Sequence, residues 1–266
     1  MVTKSGLVMK TARLRSALAD IRGSVSYRVH LASIRMKSLC APRGKKEDFN
    51  FDRLLSRLWD NYSTDDHPKD RRMRILRDKR VAGMGVENIR YLTNEMVRRV
   101  AQNGVYLEVG TYRGSSLLSA ALFNDTTRCI GIDNFSQFNK REKNEYALKR
   151  NLAKFGRLRN IEFYNKDYRE ALRELFEREP HLKVNVYYYD GKHSYRDQLE
   201  GLEVMLPHYA ERCIILVDDI NWPDPERASE DFLRKNPSFR TLLKIKTSAT
   251  PAPNWWNGFQ VIARGI

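Results

Sequence analysis

Short apolar runs alternate with helical segments from about residue 86 onward, and this alternation constrains the fold more than any other feature of the sequence. Five runs have the length and composition of buried strands: VYLEV (105–109), RCIGI (128–132), NIEFY (160–164), VNVYYY (184–189) and CIILV (213–217). Because parallel strands need long crossover connections, helices between such runs predict right-handed βαβ units. We therefore expect a parallel sheet with helices on both faces.

The last two apolar runs are joined differently. LLKIK (242–246) and GFQVIA (258–263) flank the loop TSATPAPNWWN, which has no helical periodicity. Without a crossover helix, this pair is predicted to be antiparallel. The predicted fold class is α/β: a doubly wound, Rossmann-like sheet of seven strands, mostly parallel with an antiparallel final strand, preceded by N-terminal helices.

The N-terminal segment is strongly basic. The net charge of the chain is +15, and residues 1–46 hold 11 Lys and Arg against a single acid. Leu7, Leu14 and Leu18 begin an apolar stripe at helical spacing, so this segment is predicted to be a basic amphipathic arm. Four interpretations stay open: a membrane-surface helix, a transit peptide, a nucleic-acid arm, or a helix that docks on its own domain.

Residues 47–84 are predicted to be a charged, helical lead-in. It contains a helix near 48–61 and the run DDHPKDRRMRILRDKR (65–80), whose charge indicates solvated surface. The next helix is expected to end at Asn103-Gly104, a C-terminal stop signal. The α/β domain is accordingly assigned to residues 85–266.

The cysteines and apolar runs indicate a cytoplasmic protein. Cys40, Cys129 and Cys213 have no metal-ligand spacing, and the last two lie in strand-like runs, which is typical of reduced, buried thiols. No apolar run has the roughly 18 residues of a membrane span. The N-terminus also lacks the apolar core of a secretory signal.

The stretch YLEVGTYRGSS (106–116) predicts a ligand-binding crevice where the first strand turns into a helix. Gly110 permits a sharp turn, and Gly114 lets the helix pack close to the strand. A dinucleotide-binding fingerprint would have glycine in place of Tyr112, so a pyrophosphate-containing cofactor is disfavoured. Glu108 suits a cationic ligand instead, although a strand-end acid without a ligand would look the same. The predicted cofactor-binding residues of this loop are Glu108, Gly110, Tyr112, Gly114 and Ser115.

Single acids follow the second and third strands. Asp133 ends RCIGID, where a carboxylate can accept hydrogen bonds from ribose hydroxyls, but Asp is also a common helix cap. Asp167 in NKDYREAL is placed either to bond an adenine amine or to cap the next helix.

Three acids follow the fourth and fifth strands, and they are the strongest functional signal. Asp190 ends VYYYD, while Asp218 and Asp219 end IILVDD. If these strands are neighbours, the carboxylates converge and repel one another unless a cation lies between them. Oxygen ligands without Cys favour Mg²⁺, Ca²⁺ or Mn²⁺; helix caps that face solvent are the alternative. His193 follows close enough to act as a general base near neutral pH, or as a structural histidine.

These motifs resemble the class I S-adenosylmethionine-dependent methyltransferases. The resemblance rests on EVGTYRGSS, GIDNF and YYDGKHSYRDQLEGLEVMLPHYAERCIILVDD, and it covers about residues 86–263 but not the arm. The most similar branch includes macrocin O-methyltransferase and cephalosporin hydroxylase-like proteins. Relatives in this branch often have Glu before the last Asp, so the shorter Asp218 leaves open whether it binds a metal directly or through water.

The resemblance implies a role for each candidate residue. Glu108 and Gly110 would hold the amino-acid end of S-adenosylmethionine, and Asp133 its ribose. Its adenine would contact Asp167 and Tyr168. The implied Mg²⁺ ligands are Asp190, Asp218 and Asp219, and His193 would take the proton of the acceptor hydroxyl.

The predicted function is Mg²⁺-assisted O-methylation of a small hydroxylated metabolite or sugar. Trp222, Trp255 and Trp256 would form a wall over the acceptor, unless they belong to the core. The alternatives are a nucleic-acid methyltransferase that uses the basic arm, which the acidic site disfavours, and a non-catalytic binding protein with the same fold. A peripheral membrane contact through the arm and a homo-oligomer both stay open.

Overall fold

Seven strands form one mixed sheet in the computed structural model, which describes residues 50–59, 68–69, 72–139, 143–156 and 158–266. The strand order is β3-β2-β1-β4-β5-β7-β6. The bounds are β1 Val105–Val109, β2 Arg128–Ile132, β3 Ile161–Tyr164, β4 Val184–Tyr189, β5 Tyr209–Asp218, β6 Arg240–Ile245 and β7 Phe259–Arg264. The first five strands are parallel, and β7 runs antiparallel to both β5 and β6. The predicted fold class is confirmed.

Helices precede the sheet and connect its strands. Those within the described residues are α1 Phe51–Leu58, α2 Arg74–Asp78, α3 Glu87–Val100, α4 Ser115–Ala121, α5 Asn144–Ala153, α6 Tyr168–Arg178, α7 Tyr195–Glu203 and α8 Pro223–Lys235. Local sequence explains several of their ends. Asn50 caps α1 by accepting from the Arg53 amide at 2.6 Å, and Ser194 caps α7 in the same way. Pro223 begins α8, where its missing amide proton costs nothing.

The central strands are buried, as near-continuous apolar runs in a parallel sheet require. All five residues of β1 are buried, and Cys129 and Cys213 are buried without a disulfide bond. No helix among the described residues is long and apolar enough to cross a bilayer. Residues 1–46 lie outside the described part, so the interpretations of the basic arm stay predictions.

The charged run at 65–80 is only partly the solvated surface that its composition predicts. Within its described residues, the side chains of Met73, Ile75 and Leu76 are buried, and α2 forms around them. Arg72 reaches back to pair with the buried carboxylate of Glu95 on α3. The prediction was wrong at these positions because a few apolar residues among many charges are enough to anchor a short helix.

The winding of the sheet reverses between β1 and β4. The chain extends to β2 and β3 on one side and to β5 on the other. At the reversal, the Gly110 amide donates to Ile132 of β2, whereas the Asp190 amide at the end of β4 donates to Val109, both at 2.9 Å. Such a reversal opens the crevice in which α/β sheets bind ligands.

Gly110 is required where these strand ends meet. Its φ is +96°, a conformation that residues with a side chain rarely adopt. A Cβ at this position would lie 1.8 Å from the backbone oxygen of Asp190. The backbone of Asp190 therefore occupies the space that any side chain at 110 would need.

Gly110→Ala is expected to lower the free energy of unfolding by about 1–3 kcal/mol or more. The substitution adds strain at a positive φ and a clash with backbone. Urea denaturation measures the change. Gly156→Ala is the matched control, since its Cβ would meet only an ordinary contact at 3.5 Å, and it should stay within about 0.5 kcal/mol of the parent. Equal effects of the two substitutions would contradict this packing.

Glu95 gathers three arginines around one buried carboxylate. It is 2% exposed and pairs with Arg72, with Arg98 at 2.6 Å and with Arg99 at 3.1 Å. Burial alone would raise the pKa of Glu95, but hydrogen bonds and charge from Arg98 and Arg72 lower it from 4.5 to about 2. The ionised pair thus holds α3 to the segment before it.

Glu95→Gln is expected to lower the free energy of unfolding by about 3–5 kcal/mol at pH 7, because it removes the buried negative charge that Arg72, Arg98 and Arg99 share. The depressed pKa stabilises the fold above pH 4.5, and this contribution is lost as the pH falls towards 2. Urea titrations should therefore show the difference from the parent shrinking over that range. The exposed Glu177→Gln is the control, and a pH-independent difference would refute this assignment.

Candidate active site

Glu108 lies inside the sheet, where neighbouring side chains hold its carboxylate. It is 1% exposed, and it accepts from the Tyr106 hydroxyl at 2.5 Å and from the Ser116 hydroxyl at 3.2 Å. Burial raises the pKa of Glu108 to about 7, against the effect of these hydrogen bonds. Glu108 is thus a buried acid one residue before the end of β1. A cation bound nearby would lower its pKa and favour its ionised form.

Asp133 connects the end of β2 to the glycine-containing loop. Its Oδ2 accepts from the Tyr112 amide and its Oδ1 from the Phe135 amide, both at 2.6 Å. Tyr112 itself is in the left-handed region, with a φ of 49°. Each carboxylate oxygen keeps a further lone pair, so Asp133 can still accept from a ligand hydroxyl. Burial raises the pKa of Asp133.

Asp167 caps α6 in the structure, and its predicted contact with adenine stays a prediction. Its side chain accepts from the Arg169 amide at 3.0 Å at the start of α6. The adjacent Tyr168 is buried edge-on against Tyr189, and its hydroxyl has no partner within the described residues. Tyr168 therefore retains an unsatisfied polar group on this side of the sheet edge.

Asp190, His193 and Asp219 come together at the carboxyl ends of β4 and β5. Each offers a ligand atom, and these atoms all lie within 4.8 Å of one another. His193 Nε2 is 3.0 Å from Asp219 Oδ2. In the described structure, His193 Nδ1 and Asp219 Oδ1 are buried without a hydrogen-bond partner. Buried polar atoms normally have partners, so this cluster has the donor set of a site that binds something.

Asp218, which the sequence suggested as a third metal ligand, is outside the group whose ligand atoms converge, although its carboxylate lies close enough to raise the pKa of Asp190. Its Oδ2 accepts from the Tyr188 hydroxyl at 2.8 Å, and its Oδ1 accepts from the Asp219 amide at 2.9 Å. The backbone turns at Asp219, whose φ is 58°, so the two consecutive acids face different surroundings. The hydrogen bonds of Asp218 thus stabilise the turn that positions Asp219.

Tyr188 is the residue of this site that the sequence interpretation missed. Side chains alternate along a strand, so Tyr188 shares the face of Asp190 in VYYYD, and this spacing could have identified it. Tyr188 is 3% exposed, and its hydroxyl donates from β4 to Asp218 at the end of the neighbouring strand β5.

The electrostatics of the cluster are those of crowded acids. Burial raises the pKa of Asp190 well above its ordinary value, and Asp218, Asp219, Glu108 and Asp133 raise it further. Burial and Asp219 raise the pKa of Asp218 to about 7. A bound cation reverses such shifts. Asp190 and Asp219 supply carboxylate oxygens, which are donors that hard divalent cations accept, so these residues fit a metal ion.

The three predicted wall tryptophans separate in the structure. Trp222 is 37% exposed and meets the His193 ring edge-on, with centroids 4.9 Å apart. Trp255 is 2% exposed and packs on Trp59 and Phe259, so it belongs to the core. Trp256 is partly buried in the loop before β7. Of the three, Trp222 is the one that borders the acidic cluster.

Part of the chain matches a known protein family. Residues 107–220, which include the glycine loop and Asp190, His193 and Asp219, match a family model described as a methyltransferase domain. A search of curated proteins found no match to the chain.

Solved structures share the fold at low sequence identity. An O-methyltransferase from Bacillus cereus in complex with SAH has a TM-score of 0.55 at 14% identity, over 80% of this chain and 96% of that one. The O-methyltransferase TomG from Streptomyces achromogenes, in complex with SAM and involved in tomaymycin synthesis, has a TM-score of 0.54 at 16% identity, over 74% and 91%. Residues 107–220 thus match a methyltransferase-domain family model, and the described chain shares its fold with these two O-methyltransferases.

Proposed function

We propose that the protein is an S-adenosylmethionine-dependent, Mg²⁺-assisted O-methyltransferase that acts on a hydroxyl of a small metabolite or sugar. The observation that carries this proposal is the group Asp190, His193 and Asp219 beside the Gly110 turn. It combines a base and two carboxylates at the switch point of a fold that other O-methyltransferases share.

The acidic sheet edge suits the charge of the methyl donor. Glu108, Asp133, Asp190, Asp218 and Asp219 are close enough for four of them to raise the pKa of Asp190. A sulfonium cofactor brings positive charge into this field, whereas a pyrophosphate would be repelled. Asp133 would bind the ribose hydroxyls, since its Oδ2 is held beside the glycine loop by the Tyr112 amide and each of its oxygens keeps a lone pair.

His193 would act as the general base. Asp219 accepts at 3.0 Å from His193 Nε2, which orients the ring and stabilises its protonated form. Nδ1, which has no partner within the described residues, would take the proton of the acceptor hydroxyl. The acceptor oxygen then bonds to the methyl carbon as the carbon–sulfur bond breaks, and S-adenosylhomocysteine leaves as a neutral thioether.

Asp190 and Asp219 would hold the divalent cation. When bound, the cation supplies a lower pKa for the acceptor hydroxyl and a fixed direction for its oxygen. Asp218 would contribute by positioning Asp219 through its amide hydrogen bond. The exposed ring of Trp222 beside His193 offers the acceptor an apolar face, as sugars and aromatic rings use.

His193→Ala and Asp190→Asn are each expected to lower kcat by about 10²–10⁴-fold while the Kd for S-adenosylmethionine changes little. A screen of glycosides and catechol-like diols with labelled S-adenosylmethionine would identify an acceptor, and calorimetry would give the cofactor affinity. His181→Ala, at an exposed histidine outside the cluster, is the matched control and should retain activity. Unchanged turnover in both site variants would overturn the assigned chemistry.

EDTA is expected to abolish methyl transfer, and Mg²⁺ or Mn²⁺ to restore it. Binding of Mn²⁺, followed by electron paramagnetic resonance, supplies a readout that does not depend on turnover. Asp219→Asn should eliminate saturable Mn²⁺ binding, whereas Asp218→Asn should preserve it, because the Asp218 oxygens accept from Tyr188 and from backbone. Full activity in EDTA, or equal loss in the two variants, would contradict the metal assignment.

A further inference from the structure

A second concave surface lies beside α3, outside the acidic cluster. It is a cavity of about 390 Å³ lined by three arginines, one acid and three apolar residues. The charged residues are Arg77, Arg80, Glu87 and Arg90. A cavity of this size can hold a small metabolite or a large part of one.

The cavity carries more positive charge than its own acid can neutralise. Glu87 lies 3.5 Å from Arg77. Within the described residues, Arg80 and Arg90 have no carboxylate at ion-pair distance. Burial and the nearby charges of Arg150, Lys79 and Arg80 together lower the pKa of Lys154, which indicates that positive charge also crowds the neighbouring surface.

Among these residues, Arg90 gives the clearest indication that the cavity binds an anion. Its Nε is buried and has no hydrogen-bond partner in the described part of the chain. Burial lowers the pKa of its guanidinium, with Glu87 and Tyr188 acting in the opposite direction. A buried cationic donor without a partner is costly, and an anion in the cavity would satisfy it.

Arg90 also relates the cavity to the candidate active site. It lies on α3, which packs against β4, and its Nη2 would lie 3.8 Å from a Cβ at Gly83. The segment between α2 and α3 packs against the end of the glycine loop, because a Cβ at Gly83 would lie 2.2 Å from the Ser115 hydroxyl. A ligand held by Arg90 would therefore lie next to the sheet edge that carries Asp190 and Asp219.

We propose that this cavity binds the phosphoryl group of the methyl acceptor, which makes the acceptor a phosphorylated, hydroxylated small molecule. The identity of the ligand as the methyl acceptor rests on the proposed function, whereas the anion site does not. Guanidinium groups match phosphate oxygens in bidentate geometry, and a phosphate monoester carries about −1.5 to −2 charge near neutral pH. The two positive charges of Arg80 and Arg90 match the charge of a phosphate monoester. A ligand with a single carboxylate would neutralise only one of them.

The test is calorimetric titration of the full chain with inorganic phosphate at low salt, with EDTA present so that no metal ion contributes. The parent should bind phosphate saturably, and Arg80→Gln and Arg90→Gln should each weaken binding about tenfold or more. Arg173→Gln, at an exposed arginine of α6 away from the cavity, is the matched control and should bind like the parent. Arg80 is itself exposed, so its variant should fold even if the Arg90 variant does not.

Each alternative outcome is decisive. No phosphate binding, parent-like binding by Arg80→Gln, or equally tight binding of acetate would overturn the phosphoryl site. Loss of single-stranded RNA binding in the same variants, without loss of phosphate binding, would overturn it in favour of nucleic acid. Phosphate that fails to compete with an identified acceptor would overturn the acceptor assignment alone. Phosphate binding without methyl transfer would support the cavity and count against the proposed function instead.

Discussion

The ends of β1 and β4 approach so closely that backbone alone fits between them. Gly110 turns away toward β2 while the Asp190 backbone pairs with Val109, and the oxygen of Asp190 fills the space beside Gly110. This contact fixes where the first strand stops and where the fourth strand delivers its acid. The crevice, the Asp133 contact with the loop and the position of the acidic cluster all depend on that meeting of two strand ends.

Much of this architecture could be predicted from sequence because buried parallel strands are nearly continuous apolar runs. The bounds of β1, β2 and β4 follow from composition, and so does convergence of Asp190 with the acids after β5. The division of labour between Asp218 and Asp219 could not be predicted, since it depends on one left-handed residue. Burial of Trp255 also depends on a distant partner, Trp59, that no local pattern identifies.

Two opposite electrostatic environments flank the beginning of α3. The sheet edge collects acids whose burial and mutual repulsion raise the pKa of Asp190, while the cavity holds Arg77, Arg80 and Arg90 against the single carboxylate of Glu87. The Tyr188 hydroxyl donates to Asp218 at the first, and α3, which carries Arg90 of the second, packs against β4. A ligand that lies between the acidic sheet edge and the arginine-lined cavity would be oriented by these opposite charges before close packing contacts form.

The antiparallel course of β7 brings the segment between β6 and β7 to the same edge as the reacting groups. Asn221, just after Asp219, accepts from the Thr247 amide and donates to the Asn257 carbonyl, so this segment is bound to the strand end that carries the cluster. The ladder of β5, β6 and β7 lies elsewhere and does not depend on the segment's length. Trp255, which packs on Phe259, anchors the later part of the segment in the core, so replacement of the exposed residues 248–251 would change this edge while the sheet stays intact.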